Sequence, residues 1–214
     1  MRRKLQFSLF VSVFIAIAGG LCLAQDFSAD MVDLNPAHHG SGPTKIFVSG
    51  DKIRIEAHDA RGGGVMILDM AAQKSYMLMP AQHMYMEVGD RMPRHAFAFW
   101  RPADIDNACG DWEKLAEQLK TQQKQGTCRK VGSDTVNGRS AIEYEGTSAD
   151  GKKSQAWIDA RSRYLIKVTS ADGGGMELRN LQEGSQPASL FEIPSGYQKM
   201  DMGGMMGHPM PPQQ

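Results

Sequence analysis

The chain has 214 residues, with 24 basic and 24 acidic side chains and a formal net charge of zero. A balance of that kind offers no electrostatic footprint for nucleic acid. Its length fits one domain able to bury a real core, with room for short extra segments at the ends.

The N-terminus carries the first strong signal. Arg2, Arg3 and Lys4 form a basic start, and Leu5 to Ala18 is an uncharged apolar run. Gly19 and Gly20 then weaken a helix, and Cys22-Leu23-Ala24 puts a small residue at each position a signal peptidase reads. The pattern predicts a secretory signal peptide over residues 1–24, cut after Ala24, and a protein that works in the periplasm. Two alternatives stay open. Leu5 to Ala24 is about long enough to span a bilayer uncleaved, and Cys22 could be acylated, although Leu21 stands where lipoprotein processing needs a small residue. Cleavage leaves 21 basic residues against 24 acidic, a slightly acidic surface.

Removal of Cys22 leaves Cys109 and Cys128. An oxidising compartment favours a disulfide between them. A metal site or a reactive thiol is the alternative, but two sulfurs with no adjacent histidine make a poor tetrahedral set.

From Asp26 to Val88 short β-branched and aromatic runs alternate with Gly, Pro and Asp, the pattern of an antiparallel meander. The predicted strands are Phe27 to Leu34, Thr44 to Ser49, Lys52 to His58, Val65 to Met70, Ser75 to Met79 and Met84 to Val88. Gly50-Asp51 and Gly62-Gly63-Gly64 read as turns. Ile53 and Ile55 alternate with Arg54 and Glu56, so that strand has one wet face. Val65-Met66-Ile67-Leu68 is apolar both ways and needs a cover on each side. Next comes a helical pattern with Asp111 as N-cap and Trp112, Leu115, Ala116 and Leu119 on one stripe. A helix reaching Gln125 would leave too little chain to return Cys128 to Cys109, so a disulfide requires the helix to stop near Lys120. The meander resumes at Thr135-Val136, turns at Asn137-Gly138, and continues through Ser140 to Glu145, Gln155 to Asp159, Tyr164 to Ser170 and Met176 to Gln182. The fold class is therefore mainly β with minor α, in a single domain over residues 25–200. The remainder, residues 201–214, is a Gly, Met and Pro tail without periodicity, expected to be disordered when alone.

No nucleophile elbow, Walker loop, dinucleotide fingerprint or His-Glu-x-x-His motif occurs, and the histidines are scattered at 38, 39, 58, 83, 95 and 208. Enzyme classes built on those motifs have no anchor, and the chain reads as non-enzymatic. Methionine, at 15 residues, is the compositional oddity. Met77 and Met79 share one face of their strand, Met84 and Met86 share one face of theirs, and Met66 could join them. These side chains can be read as core filler, as an adaptable surface for a lipid or peptide, or as soft ligands for Cu(I) with His83. A second cluster, Met200, Met202, Met205, Met206, His208 and Met210, lies at the C-terminus, where soft sulfurs and one imidazole suit Cu(I) or Ag(I).

Taken together, Phe27-Ser28-Ala29-Asp30-Met31, Gly50-Asp51-Lys52-Ile53-Arg54-Ile55-Glu56, Tyr76-Met77-Leu78-Met79-Pro80, Cys128-Arg129-Lys130-Val131-Gly132, Thr135-Val136-Asn137-Gly138-Arg139 and Leu190-Phe191-Glu192-Ile193-Pro194 resemble an uncharacterised family of bacterial periplasmic domains similar to the LolA and LolB lipoprotein carriers. The resemblance implies a strongly curved antiparallel sheet, an open half-barrel, closed on its concave side by a short helix or loop. In those carriers the concavity holds acyl chains, and an arginine in the strand matching Arg54 helps fasten the lid. The expected site is thus Met66, Met77, Met79, Met84 and Met86 with Arg54. Its expected occupant is a lipid, an acyl chain or lipoprotein-like cargo, with transient contact to a membrane surface and no resident cofactor. Periplasmic copper handling by Met202, Met205, Met206, His208 and Met210 is the alternative, and a purely structural envelope component is the third reading.

Overall fold

The computed structural model describes residues 26–35, 37, 42–57, 63–88, 101–118 and 126–200. Among the described residues two antiparallel meanders are joined by a helix. The first runs through β1 (Phe27–Asp33), β2 (Thr44–Ser49), β3 (Lys52–Ala57), β4 (Gly64–Asp69), β5 (Lys74–Met79) and β6 (Met84–Glu87). One helix, α1 (Ala108–Gln118), leads to the second: β7 (Thr127–Val136), β8 (Arg139–Thr147), β9 (Lys153–Asp159), β10 (Leu165–Ser170) and β11 (Gly175–Glu183). A last short strand, β12 (Gln198–Lys199), follows.

β1 pairs with β11 and joins the meanders edge to edge, giving one sheet in the order β12-β6-β5-β4-β3-β2-β1-β11-β10-β9-β8-β7. Every pairing is antiparallel except β12 with β6. The sheet is curved and does not close, an open half-barrel with one short helix. The β7–β8 turn is the one its sequence demands: Asn137 and Gly138 have φ of 51° and 77°, the left-handed pair of a type I′ hairpin.

Alternation assigns the faces of the first meander. Ile46, Val48, Ile53 and Leu68 point to one side and, with Phe27 and Ala29, enter a core that includes Val136, Ala141, Trp157, Tyr164, Ile166 and Leu178. Phe27 meets the edge of Tyr164 at 4.9 Å between ring centres. Val65, Ile67 and Leu78 point to the other side, where Phe191, Leu190 and Tyr197 of the C-terminal segment cover them. The strand that is apolar both ways therefore has a cover on each face, as its sequence requires. Each such buried side chain contributes about 1.5–3 kcal/mol.

Two sequence expectations are corrected here. The helix starts at Ala108 rather than after Asp111. Asn107 precedes it, its carbonyl accepting the Gly110 N–H at 3.1 Å, while the Asp111 carboxylate reaches back to accept the Asp104 N–H at 3.0 Å. Trp112, expected on the apolar stripe, is 41% exposed, and the residues that anchor the helix lie before it. Also, β7 begins at Thr127 and not at Thr135. It is an edge strand with most of its side chains exposed, so no two-residue apolar period marks it, and pairing with β8 specifies it instead.

Candidate functional site: the methionine face

The sheet registers place Ile55 opposite Met66, Met66 opposite Met77, and Met77 opposite Met86. Met79 stands opposite Met84. Residues directly opposite in an antiparallel ladder share a face, so Met66, Met77, Met79, Met84 and Met86 lie on the side that carries Ile53 and Leu68. All of them are half-buried, whereas Ile53 and Leu68 are buried. This face thus grades from a closed Ile, Leu and Val core to a partly open methionine end.

One thioether can be placed more closely. A β-carbon built on Gly64 would stand 3.7 Å from Met77 Sδ, so the Met77 side chain runs over backbone that bears no side chain. Met200, which sequence reasoning grouped with the C-terminal cluster, belongs with this face. Gln198 and Lys199 pair in parallel with Met84 and Tyr85, and the Met200 N–H donates to the Tyr85 carbonyl at 2.7 Å. Met200, two residues beyond Gln198, falls level with Met86 on the same face. Lys199 and Tyr197 check this assignment, because Lys199 reaches Glu87 at 3.1 Å and Tyr197 joins Tyr85 on the other side. The signal was available in the sequence as Tyr197 to Met200, but only the β12–β6 pairing gives it meaning.

Arg54 and His83 are not brought to the methionines. Arg54 stands opposite Phe47 and Ile67, on the reverse face. Its Nη1 donates to the Leu190 carbonyl at 2.9 Å and its Nε to Glu56 Oε1 at 2.6 Å, which fastens the C-terminal segment over Val65 and Ile67. The His83 ring faces Tyr197 at 5.7 Å between centres, on that same reverse side. Met202, Met205, Met206, His208 and Met210 lie outside the described residues, as do residues 1–24.

Cys109 and Cys128 form the expected disulfide, with Cα atoms 5.6 Å apart. It ties the first turn of α1 to β7. The Tyr144 hydroxyl reinforces the attachment, donating to the Ile105 carbonyl at 2.6 Å and accepting the Ala108 N–H at 3.3 Å. Lys130 adds an ion pair with Asp106 at 2.6 Å. Ala108, Tyr144 and Ile158 are buried together beneath this attachment.

The buried charges lie elsewhere. Asp159 is 1% exposed and accepts Arg139 Nε at 2.7 Å and Nη2 at 3.0 Å. Burial opposes ionisation of Asp159, but Arg139 and the Ser162 N–H outweigh it and hold the carboxyl below its ordinary range. Glu177 behaves likewise, with burial opposed by Arg179 and Asn137. Both carboxylates are fully occupied in holding turns and strand ends. A polar cleft of about 290 Å3 is lined by Glu145, Lys153, Ser154, Gln155, Thr169, Ser170 and Ala171, away from the methionines. Among the described residues no three His, Cys, Asp or Glu side chains converge as metal ligands. Among those residues, too, no helix is long and apolar enough to cross a membrane.

No protein-family model matches the chain, and no curated protein matches it. Among solved structures, an uncharacterised conserved protein from Thermus thermophilus superposes with a TM-score of 0.52 at 10% identity, covering 83% of this chain and 91% of that one. A chain of the Pseudomonas aeruginosa MucA/MucB complex gives 0.46 at 18% identity, over 77% of this chain and 54% of that one. An outer membrane lipoprotein-sorting protein domain from Vibrio parahaemolyticus gives 0.20 at 11% identity, over 78% and 88%. The first match supports the fold alone, and the other two scores are too low to bear on it. The class so defined is an open, curved antiparallel sheet carrying one short, disulfide-tied helix.

Proposed function

We propose that this chain is a non-enzymatic periplasmic protein that binds a hydrophobic or amphiphilic ligand, an acyl chain or lipid, on its methionine face. The observation that carries the reading is the grading of one sheet face. It is a closed aliphatic core at Ile46, Val48, Ile53 and Leu68, and a half-buried array of unbranched thioethers at Met66, Met77, Met79, Met84 and Met86. Methionine side chains adapt their shape to irregular apolar partners, which suits a ligand of variable form. Burial at about 25 cal/mol per Å2 makes a single acyl chain a sufficient ligand. The periplasmic setting rests on the leader-like N-terminus and on the disulfide, which an oxidising compartment favours.

Uptake of a fluorescent fatty acid by the full chain tests this, with a Met79→Ser, Met84→Ser double variant as the comparison. A ligand-lining face gives uptake that falls in the variant while the unfolding midpoint moves little. A face that serves only as core gives no uptake in the parent and a variant that unfolds several kcal/mol more easily; that result would end the proposal.

A further inference from the structure

The methionine face runs out at a sheet edge from which the chain itself continues. Met200 stands level with Met86, its N–H bonded to the Tyr85 carbonyl, and β12 runs parallel to β6. A strand carried two residues further would bring Met202 level with Val88, the residue just past β6. Val88 has the parity of Met84 and Met86, its N–H donates to the Ser75 carbonyl at 2.9 Å, and it is 37% exposed. An exposed Val88 beside half-buried Met77, Met79, Met84 and Met86 is apolar surface that an occupant would remove from water.

The sequence beyond Met200 fits that surface. Met202, Met205, Met206 and Met210 are its large apolar side chains, Asp201 is its one acidic side chain, and residues 201–214 contain no Lys or Arg. Gly203-Gly204 lets the chain reverse after Met202, because glycine takes left-handed and right-handed turns alike. Such a reversal returns Met205 and Met206 toward Met86 and Met77. The reach is ample: from β12 across β6 and β5 to β4 is about 14 Å of strand spacing, whereas residues 201–210 can extend over about 33 Å. A segment tethered beside its target has an effective concentration on the order of millimolar, so a weak contact suffices to fill the face. Unbranched thioethers adapt to one another as they do to a lipid.

We infer that residues 202–206 lie back over the methionine face of their own chain as a resident cover, which an amphiphile has to displace in order to bind. The occupant is a segment of the same molecule, neither a second copy nor a separate partner. It keeps the apolar face out of water while no ligand is present, and it lowers the affinity of the site by competition. Docking of the segment is carried by Met200, Val88 and the residues that follow Met200, while the competition rests on the amphiphile reading above.

The test uses the full chain with 13C-methyl methionine, its disulfide intact, and a nitroxide attached through Pro211→Cys. The Met77, Met79, Met84 and Met86 methyls should broaden strongly, and those of Met31 and Met176, far along the sheet on β1 and β11, should not. The broadening should be independent of protein concentration and should vanish on saturation with a fatty acid. Equal broadening of all these methyls would overturn the inference, and so would broadening that fades on dilution, which marks the segment of a second copy. A Met202→Ser, Met205→Ser, Met206→Ser, Met210→Ser variant alters no residue of the sheet, and it should take up a fluorescent fatty acid several-fold more tightly than the parent. Uptake of equal affinity in the two proteins would overturn the competition. If neither protein takes up fatty acid while the nitroxide still broadens the four methyls, the amphiphile reading falls and the docked segment stands as the cover of this face.

Discussion

Replacing Asp159 by alanine should be among the most damaging single changes in the molecule, and its size can be worked from the contacts. The carboxylate is 1% exposed and accepts four hydrogen bonds: Arg139 Nε and Nη2, and the backbone N–H groups of Arg161 at 3.1 Å and Ser162 at 2.6 Å. Breaking a buried ion pair by removing one partner costs about 3–5 kcal/mol. Here Arg139 keeps Glu183 at 2.6 Å, which draws the charge term toward the low end. Leaving the buried Ser162 N–H without an acceptor adds about 1–3 kcal/mol. The expected loss is about 4 kcal/mol, or roughly 10 °C in Tm for a domain of this size. The effect should also depend on pH. The folded carboxyl titrates below its unfolded value of about 3.9, so its contribution is fully present above that value and is lost as pH falls through the folded one. Urea unfolding at pH 7 and pH 3 measures both. A cost below 1 kcal/mol at pH 7, or a gap between parent and variant that does not narrow at pH 3, would refute the reasoning.

Denatured, unreduced protein produced under oxidising conditions should show no free thiol at Cys109 or Cys128 on alkylation, and closing their loop should contribute about 3 kcal/mol. Tyr144→Phe removes a hydroxyl that both donates to Ile105 and accepts from Ala108, and should lower stability by about 1–3 kcal/mol on chemical unfolding. Phe191→Ala should cost about 3–5 kcal/mol, because its ring is buried against Val65, Ile67 and Leu78.

Much of the sheet is legible in the sequence because its signals are local. The Gly50-Asp51 and Asn137-Gly138 turns, and the alternation of Ile53 and Ile55 with Arg54 and Glu56, all act within a few residues. The helix start is misread because Asp111 has the chemistry of an N-cap, yet its carboxylate is claimed by the Asp104 N–H in the loop before the helix. β7 is read too short because an edge strand buries almost nothing and leaves no apolar period. The methionine set is readable from two-residue alternation within each strand, whereas its union into one face rests on cross-strand register. The place of Met200 is invisible because β12 is two residues long and pairs in parallel with a strand far back in the chain.

The position of Arg54 shows how a residue's local role can hold while its side of the sheet does not follow. In the lipoprotein carriers the matching arginine is expected to fasten a lid over the cavity. Here it does fasten a covering segment, through the Leu190 carbonyl, but on the face opposite the methionines. On that reverse face Leu190, Phe191 and Tyr197 cover Val65, Ile67 and Leu78, while Tyr76 and Tyr85 stay half-buried, as the thioethers do on the other side. Arg54→Leu should therefore loosen the C-terminal segment, at a cost of about 1–3 kcal/mol for the lost charged hydrogen bond, and leave fatty-acid uptake unchanged. Loss of uptake at unchanged stability would place the ligand under the C-terminal segment and against the reverse face instead.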